Sequence, residues 1–157
     1  MVNYIGEFVC KLDGKGRLML PAGLRKQLPN DAKDTLIINR GFDACLVLYT
    51  KPDWILETQK LQQLNAFNPK DRLLIRLLNN GANELSIDGA SRILIPKKLM
   101  EYASLKTDIV LFAYQNKIEI WDKTIYDQQL NINAEDLAKL ANELLGGNSK
   151  NGGENVG

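Results

Sequence analysis

One motif that occurs twice constrains this chain more than any other feature of its 157 residues. The pattern is D-G-x-x-R-φ-x-φ-P-x-x-φ, in which φ is an apolar residue and x is any residue. It starts at Asp13 and starts again at Asp88, 75 positions later. Self-similarity of this kind marks repeated structural units, so the chain is predicted to consist of two related halves. The other matched positions are Gly14 and Gly89, Arg17 and Arg92, Pro21 and Pro96, and Leu24 and Leu99.

Each half is predicted to contain the same elements in the same order: a strand, the motif loop, a strand, a one-turn helix, a hairpin and a terminal helix. Short apolar runs between turn residues predict the hairpin strands. They lie at 36–39 with 45–49 in the first half, and at 109–112 with 118–121 in the second.

Prolines and polar capping residues mark the predicted helices. An Asn-Pro pair opens a helix over 68–81, because Asn is a preferred N-cap and Pro is favoured at the first helical position. A second helix starts near Pro52, with Leu61 and Leu64 on its apolar face. A third is predicted over 133–145, with its leucines at helical spacing.

The predicted fold class is α+β. Four short strands leave one apolar face uncovered in an isolated half, and two halves can bury these faces against each other. The chain is therefore predicted to be a pseudo-dimer of two half-domains in one folded unit, with additional helices. The first half spans 1–81 and the second 82–145. Residues 146–157 are rich in Gly and Asn and are predicted to be a disordered tail.

Composition excludes several classes of function. The chain has no histidine, which removes histidine general bases, serine–histidine–aspartate triads and most zinc sites. Cys10 and Cys45 form neither a disulfide framework nor a C-x-x-C pair, and we expect both to be buried free thiols. We therefore expect a protein that is not an enzyme and that needs no cofactor.

Nothing in the sequence predicts export or membrane insertion. The first residues lack the charged segment and apolar run of a signal peptide. No apolar run reaches the length of about 18 residues that a membrane span requires. A cytoplasmic protein is the expectation.

The motif places an acid and a base four residues apart across a turn. The glycines at positions 14 and 89 are predicted to allow backbone angles that other residues disfavour. Asp13 and Asp88 can accept backbone N–H bonds and so shape the loops. Arg17 and Arg92 begin the following strands, where a planar guanidinium suits phosphate oxygens or guanine edges. A pair that only stabilises a turn is the alternative, and the recurrence of the motif fits either role.

Local charge favours binding of an acidic partner in the first half. The net charge is only +1, yet residues 10–28 contain a single acid, Asp13, and five basic residues. A local basic surface of this kind can attract nucleic acid, although a solvated charged face stays open as the alternative. The five basic residues are Lys11, Lys15, Arg17, Arg25 and Lys26.

The two motif copies resemble the two D-x-x-x-R motifs of the MraZ family. That family consists of bacterial transcriptional regulators associated with the division and cell-wall gene cluster. The resemblance runs over about residues 1–145 and includes Asn68-Pro69 and the segment 118–122. It implies an AbrB-like swapped-hairpin fold, in which two halves interlock into a small β-barrel. It also implies assembly of identical subunits into a ring.

The resemblance further implies which residues bind DNA. In the family the motif arginines contact DNA, which carries over to Arg17 and Arg92. In the AbrB group a basic pair on the next short helix does so as well, and this pair corresponds to Arg25 and Lys26. The second half has Met100 and Glu101 at those positions, so the first half is expected to make more phosphate contacts. The remaining candidate DNA-binding residues are Lys15, Lys97 and Lys98.

The expected function is sequence-specific regulation of transcription, most simply repression at the promoter of the division and cell-wall gene cluster. The expected partner is double-stranded DNA with repeated promoter elements, bound by a ring-like homo-oligomer in the nucleoid. The alternative is an oligomeric interaction protein in which the motif loops form ion pairs between subunits.

Overall fold

The computed structural model describes residues 3–146, and these fall into two compact units. The first unit ends at Tyr126 and the second begins at Asp127. Both motif copies and every β-strand of the described residues lie in the first unit. The architecture is mixed α+β, as predicted.

The described strands are eight in number and form two sheets. Their bounds are β1 (Tyr4–Lys11), β2 (Arg17–Met19), β3 (Thr35–Arg40), β4 (Leu46–Tyr49), β5 (Asn83–Ser86), β6 (Arg92–Leu94), β7 (Asp108–Gln115) and β8 (Lys117–Asp122).

The helices follow the strands of each repeat. They are α1 (Ala22–Arg25), α2 (Lys51–Gln59), α3 (Pro69–Asn79), α4 (Lys97–Tyr102), α5 (Lys123–Gln129) and α6 (Ala134–Ala141). Two 3-10 segments, Asn30–Ala32 and Lys60–Gln63, and a π-helical turn, Asn142–Gly146, complete the regular structure of the described residues. Among these residues, no helix is both long and apolar enough to cross a membrane.

The two repeats exchange strands. The main sheet has the order β1-β7-β8-β4-β3-β5, so the first strand of each repeat pairs with the hairpin of the other. β1 lies antiparallel to β7, from Tyr4 opposite Gln115 to Lys11 opposite Asp108. β5 lies antiparallel to β3 in the same way. Separation of the repeats would break both ladders.

The main sheet is open rather than closed. β1 and β5 are its two edges, and β2 pairs with β6 in a separate two-stranded ribbon. A single bridge between Leu12 and Leu18 connects β1 with this ribbon. These pairings do not close into the barrel that the resemblance implied, because the three-residue strands of the ribbon do not continue the ladders at either edge.

One hydrophobic core contains residues from both repeats. Each fully buried Leu or Ile side chain contributes about 1.5–3 kcal/mol relative to exposure. The largest members that are essentially inaccessible are Leu18, Leu20, Leu24, Leu36, Ile38, Leu46, Leu48, Ile93, Ile95, Ile109, Leu111 and Ile118.

The predicted hairpins and helix starts are present. β3 pairs with β4, and β7 pairs with β8. The Asn68 side chain accepts N–H bonds from residues 70 and 71, and Asn133 accepts one from Asp136. The prediction of one helix that includes Leu61 and Leu64 is wrong, because α2 ends at Gln59 and a 3-10 segment follows.

The two cysteines differ in burial. Cys45 is buried and Cys10 is half-buried. The prediction of two buried thiols is therefore confirmed only for Cys45. Cys10 lies on β1, whose position at the sheet edge leaves it partly accessible. Burial raises the pKa of Cys45 to about 12 and that of Cys10 to about 11. The predicted disordered tail lies outside the described residues, apart from Gly146.

Candidate nucleic-acid interface

The β2–β6 ribbon brings the two motif copies together. In its register Arg17 lies opposite Leu94, Leu18 opposite Ile93, and Met19 opposite Arg92. Successive side chains of a strand point to opposite faces. Leu18 and Ile93 are fully buried, so the other four side chains share the outward face.

This outward face combines charge with exposed apolar surface. Met19 is 54% exposed and Leu94 is 58% exposed. Arg17 and Arg92 occupy the diagonal corners of the same face, since the strands run antiparallel. We call the four side chains the ribbon face. A two-stranded ribbon fits the major groove of B-DNA in width.

The two motif loops have the same hydrogen bonds. In the first loop, Asp13 Oδ1 accepts the backbone N–H groups of Lys15 and Arg17, each at 2.9 Å, and Oδ2 accepts Arg17 Nε at 2.8 Å. In the second loop, Asp88 Oδ1 accepts the N–H groups of residues 90 and 92 at 2.9 Å, and Oδ2 accepts Arg92 Nε at 3.0 Å. Each aspartate therefore holds both its loop and its arginine.

The left-handed backbone position of each loop is not where the sequence predicted it. Gly14 and Gly89 do not have a positive φ. Gly16 has φ 82° and its counterpart Ser91 has φ 61°. The reason is the turn type. Gly16 donates its N–H to the backbone carbonyl of Asp13, so residues 14 and 15 are the two central residues of a turn. Neither of them has a positive φ, and the left-handed residue is the one that follows them.

We expect Gly16→Ala to destabilise the fold by about 1–2 kcal/mol, because an L-residue pays this cost in the left-handed region. A Cβ there would also lie 3.1 Å from Met100 Cε. Gly14→Ala is the matched control and should stay within about 0.5 kcal/mol of wild type, since a Cβ at Gly14 meets no atom within 4 Å. Urea unfolding of both variants checks this, and equal losses would contradict it.

The loop hydrogen bonds keep both aspartates ionised. The backbone N–H of Arg17 is the largest cause that lowers the pKa of Asp13 below its ordinary value, and the Arg17 side chain adds to it. The N–H of Arg92 lowers the pKa of Asp88 in the same way. The bonds from the arginine side chains use Nε alone. The terminal nitrogens of both arginines make no hydrogen bond within the described residues.

We expect Arg17→Ala to raise the pKa of Asp13 only part of the way to its ordinary value, because the backbone N–H bonds remain. A folded pKa that is lowered stabilises the fold above the unfolded pKa, and this contribution is lost as the pH falls through the folded value. NMR titration of the Asp13 carboxyl checks the shift, and the unchanged Asp88 is the internal control. Full recovery of the ordinary pKa would show that the ion pair, and not the backbone, sets it.

Exposed lysines surround the ribbon face. One lies in the first loop, one directly follows α1, and two are the first residues of α4. The short helices α1 and α4 follow the two ribbon strands. Their ammonium groups make no ion pair within the described residues. These lysines are Lys15, Lys26, Lys97 and Lys98.

Arg25 differs from the other candidate residues, because its guanidinium is bound to the protein. Its Nε donates to the carbonyl of Leu20 at 3.0 Å, and its Nη1 donates to the hydroxyl of Ser91 at 2.9 Å. Ser91 was not among the residues that the sequence singled out. The available signal was its place 75 positions after Gly16, where a side chain replaces a glycine of the first copy.

Known proteins of one family are similar to each half of the chain separately. The family described as "MraZ protein, putative antitoxin-like" matches residues 4–77 and again residues 78–147. The chain belongs to the MraZ family. The family that the motifs predicted is thereby confirmed, and its two matches meet inside α3 rather than at the predicted 81/82 boundary. That boundary stays a prediction.

Three relatives, each named transcriptional regulator MraZ, show how far the similarity extends. The one from Christiangramia forsetii is 39% identical over 97% of this chain and 99% of its own length. The one from Flavobacterium psychrophilum is 41% identical over 93% of this chain and 94% of its own length. The one from Escherichia coli is 39% identical over 85% of this chain and 90% of its own length.

Proposed function

We propose that this MraZ-family chain is a transcriptional regulator that binds double-stranded DNA with the ribbon face and its two loops. The carrying observation is the pair of matching arginines, each held by an aspartate through Nε and each with terminal nitrogens that make no hydrogen bond to the part of the chain that the structure describes. A pair of parallel N–H donors suits guanine O6 and N7 in the major groove. The names of the relatives support the same function.

The ribbon face provides a second kind of base contact. Met19 and Leu94 are exposed apolar side chains beside the arginines, and apolar groups discriminate thymine by its methyl group. Exposure of these apolar side chains to water is unfavourable, and contact with a base edge would remove them from water.

The glycines at the loop tips also fit a site for a large partner. A Cβ at Gly14 or Gly89 would meet no atom within 4 Å, and neither residue needs a positive φ. The folded chain itself therefore does not require glycine at these positions. A bare loop tip allows a ligand to approach the backbone closely.

The surrounding lysines supply affinity without sequence preference. Each phosphate that a lysine neutralises adds about −0.9 to the slope of log affinity against log salt. The lysine of the first loop has no basic counterpart in the second, where Ala90 takes its place. The first repeat therefore makes more phosphate contacts than the second. Repression at a promoter of the division and cell-wall gene cluster, in the nucleoid, is the simplest outcome.

We expect Arg17→Ala and Arg92→Ala each to weaken binding to DNA from upstream of the gene by about 1–3 kcal/mol, because each removes a bidentate base contact. Loss at Arg17 should be the larger, given the charge around it. Fluorescence anisotropy with labelled upstream DNA and scrambled DNA measures the effect. Lys51→Ala on α2 is a charge-matched control that should bind like wild type.

The result also tests the alternative function, in which the motif loops join subunits by ion pairs. The structure favours DNA reading, since each Asp–Arg pair closes within one chain, at 2.8 Å and 3.0 Å. An Arg17→Ala protein that loses assembly but keeps DNA binding would overturn the proposed function. Equal losses at Arg17 and Arg92 would contradict the unequal contributions of the repeats.

The exchanged strands support the finer fold assignment. β1 completes the hairpin of the second repeat and β5 completes that of the first. In an AbrB-like swapped-hairpin fold the two halves interlock, and here both halves would come from one chain.

Self-association would multiply the ribbon faces that one DNA molecule meets. α3 exposes Leu73, Leu74 and Leu77, and α6 exposes Leu137 and Leu140, so each helix has an apolar face that is accessible to water. Faces of this type mark interaction surfaces. The two surfaces belong to different compact units and differ from each other, so contact between copies is head-to-tail and closes into a ring or extends as a filament.

Charge favours α6 of one copy as the partner of α3 of the next. α3 contains three basic residues and one acid, whereas residues 134–146 contain three acids and one base. Opposite charges across an interface favour the correct pairing over like-with-like contact. Avidity then raises the affinity of the assembly for repeated DNA elements.

We expect Leu137→Gln combined with Leu140→Gln to reduce the assembly to smaller species, because both side chains are exposed in the single chain and their replacement should not unfold it. Sedimentation velocity measures the change, and 1 M salt should weaken the wild-type assembly through screening over about 3 Å. Ala138→Gln, an exposed uncharged position on the same helix, is the control. An unchanged sedimentation profile of the double variant would exclude α6 as the contact.

A further inference from the structure

The two motif loops are tied to the opposite repeat by matching backbone bonds. The N–H of Leu20 donates to the carbonyl of Ser91, and the N–H of Ile95 donates to the carbonyl of Gly16, each at 2.9 Å. Leu20 and Ile95 are equivalent positions in the repeat, as are Gly16 and Ser91. The backbone therefore follows the repeat symmetry at this point.

The side chains break this symmetry. On one side, Arg25 crosses from α1 to the hydroxyl of Ser91, in the loop of the other repeat, while it also bonds the carbonyl of Leu20. On the other side, the equivalent of Arg25 is Met100, which lies beside Gly16. Arg25 and Ser91 thus form a charge-assisted hydrogen bond. At the equivalent place in the other half, Met100 makes an apolar contact with the backbone of Gly16.

The cavities beside the loops reflect the same difference. The groove beside the first loop, which Gly16 and Met100 help to line, has a volume of about 820 Å³. The space beside the second loop, lined in part by Arg25 and Ser91, has a volume of about 160 Å³. The second loop is packed and hydrogen-bonded at its left-handed residue, whereas the first rests on a flexible methionine.

We propose that Arg25 is a positioning residue that holds the second loop, residues 88–92, ready to read DNA, while the first loop, residues 13–17, adjusts on binding. Ser91 directly precedes Arg92, so restraint of its side chain restrains the start of β6. A group held in its bound geometry loses less freedom on binding. The inference rests on the proposed function of the loops. It assigns Arg25 to positioning the second loop, in place of the phosphate contact that the sequence predicted for it.

The first test uses the protein without DNA. Arg25→Met copies the residue of the second repeat, and Ser91→Ala removes the hydroxyl with no change of charge. In both variants we expect amide hydrogen exchange at Ala90 and Arg92 to accelerate by about fivefold or more, because the loop opens locally. These are the N–H groups that Asp88 accepts.

The first loop is the internal control of this measurement. The equivalent N–H groups, at Lys15 and Arg17, are bonded to Asp13 and should exchange as in wild type. Thermal melts verify that both variants fold. Unchanged exchange at Ala90 and Arg92 would overturn the proposal, as would equal acceleration in both loops.

The second test measures preference for upstream over scrambled DNA by fluorescence anisotropy at several salt concentrations. Ser91→Ala should lower the preference about five- to tenfold with the salt slope unchanged, since it removes no charge. Arg25→Met should lose the same preference, and the double variant should lose no more than either single one, as partners in one contact do.

Lys26→Met is the matched control, next to Arg25 on the chain. It should weaken binding to both DNAs alike and reduce the salt slope by about 0.9, as loss of one phosphate contact requires. The proposal is overturned where Arg25→Met behaves like Lys26→Met and Ser91→Ala binds like wild type. A wild-type protein that binds both DNAs equally would instead overturn the proposed function, whatever the exchange rates show.

Discussion

Leu18 and Ile93 lie opposite each other at the centre of the ribbon and are fully buried. Because side chains alternate along a strand, their burial turns the arginines on either side outward. The two strands belong to different repeats, so the ribbon face exists only where the repeats fold against each other. The exchanged strands β1 and β5 make that association part of the fold, since each is held by the other repeat's hairpin. The site therefore depends on the packing of the two repeats and cannot be assigned to one of them.

Electrostatics in the loops separates orientation from attraction. Each aspartate is ionised because backbone N–H groups stabilise its charge, and it uses that charge to fix its arginine through Nε. In the proposed function, an acid beside the reading arginine opposes indiscriminate binding to phosphate, and the exposed lysines supply the attraction. Base reading and phosphate binding would then lie on different side chains. The proposed contact between α3 and α6 of neighbouring copies would present several such sites together.

The repeats share a backbone and differ in the contacts that support it. The same pair of N–H bonds joins each loop to the opposite repeat, yet Arg25 meets Ser91 on one side and Met100 lies beside Gly16 on the other. The backbone pairing is compatible with either solution because its hydrogen bonds use only the carbonyls of Gly16 and Ser91 and the N–H groups of Leu20 and Ile95. Two loops of one geometry can thus differ in stiffness, which a symmetric dimer of identical halves could not achieve.

The sequence determined the repeat and the family, because the motif recurs 75 positions along the chain. Local signals determined the hairpins and the helix starts at Asn68 and Asn133, because each depends on residues a few positions apart. The left-handed residue was placed wrongly, since glycine occurs in both copies at 14 and 89 but only once at 16 and 91. Only the tertiary structure decided which strands of the two repeats pair with each other, that the sheet stays open, and that the guanidinium of Arg25 is bound within the protein. Its partner lies 66 residues away, and the periodicity of a strand or helix states which face is apolar without stating what covers it.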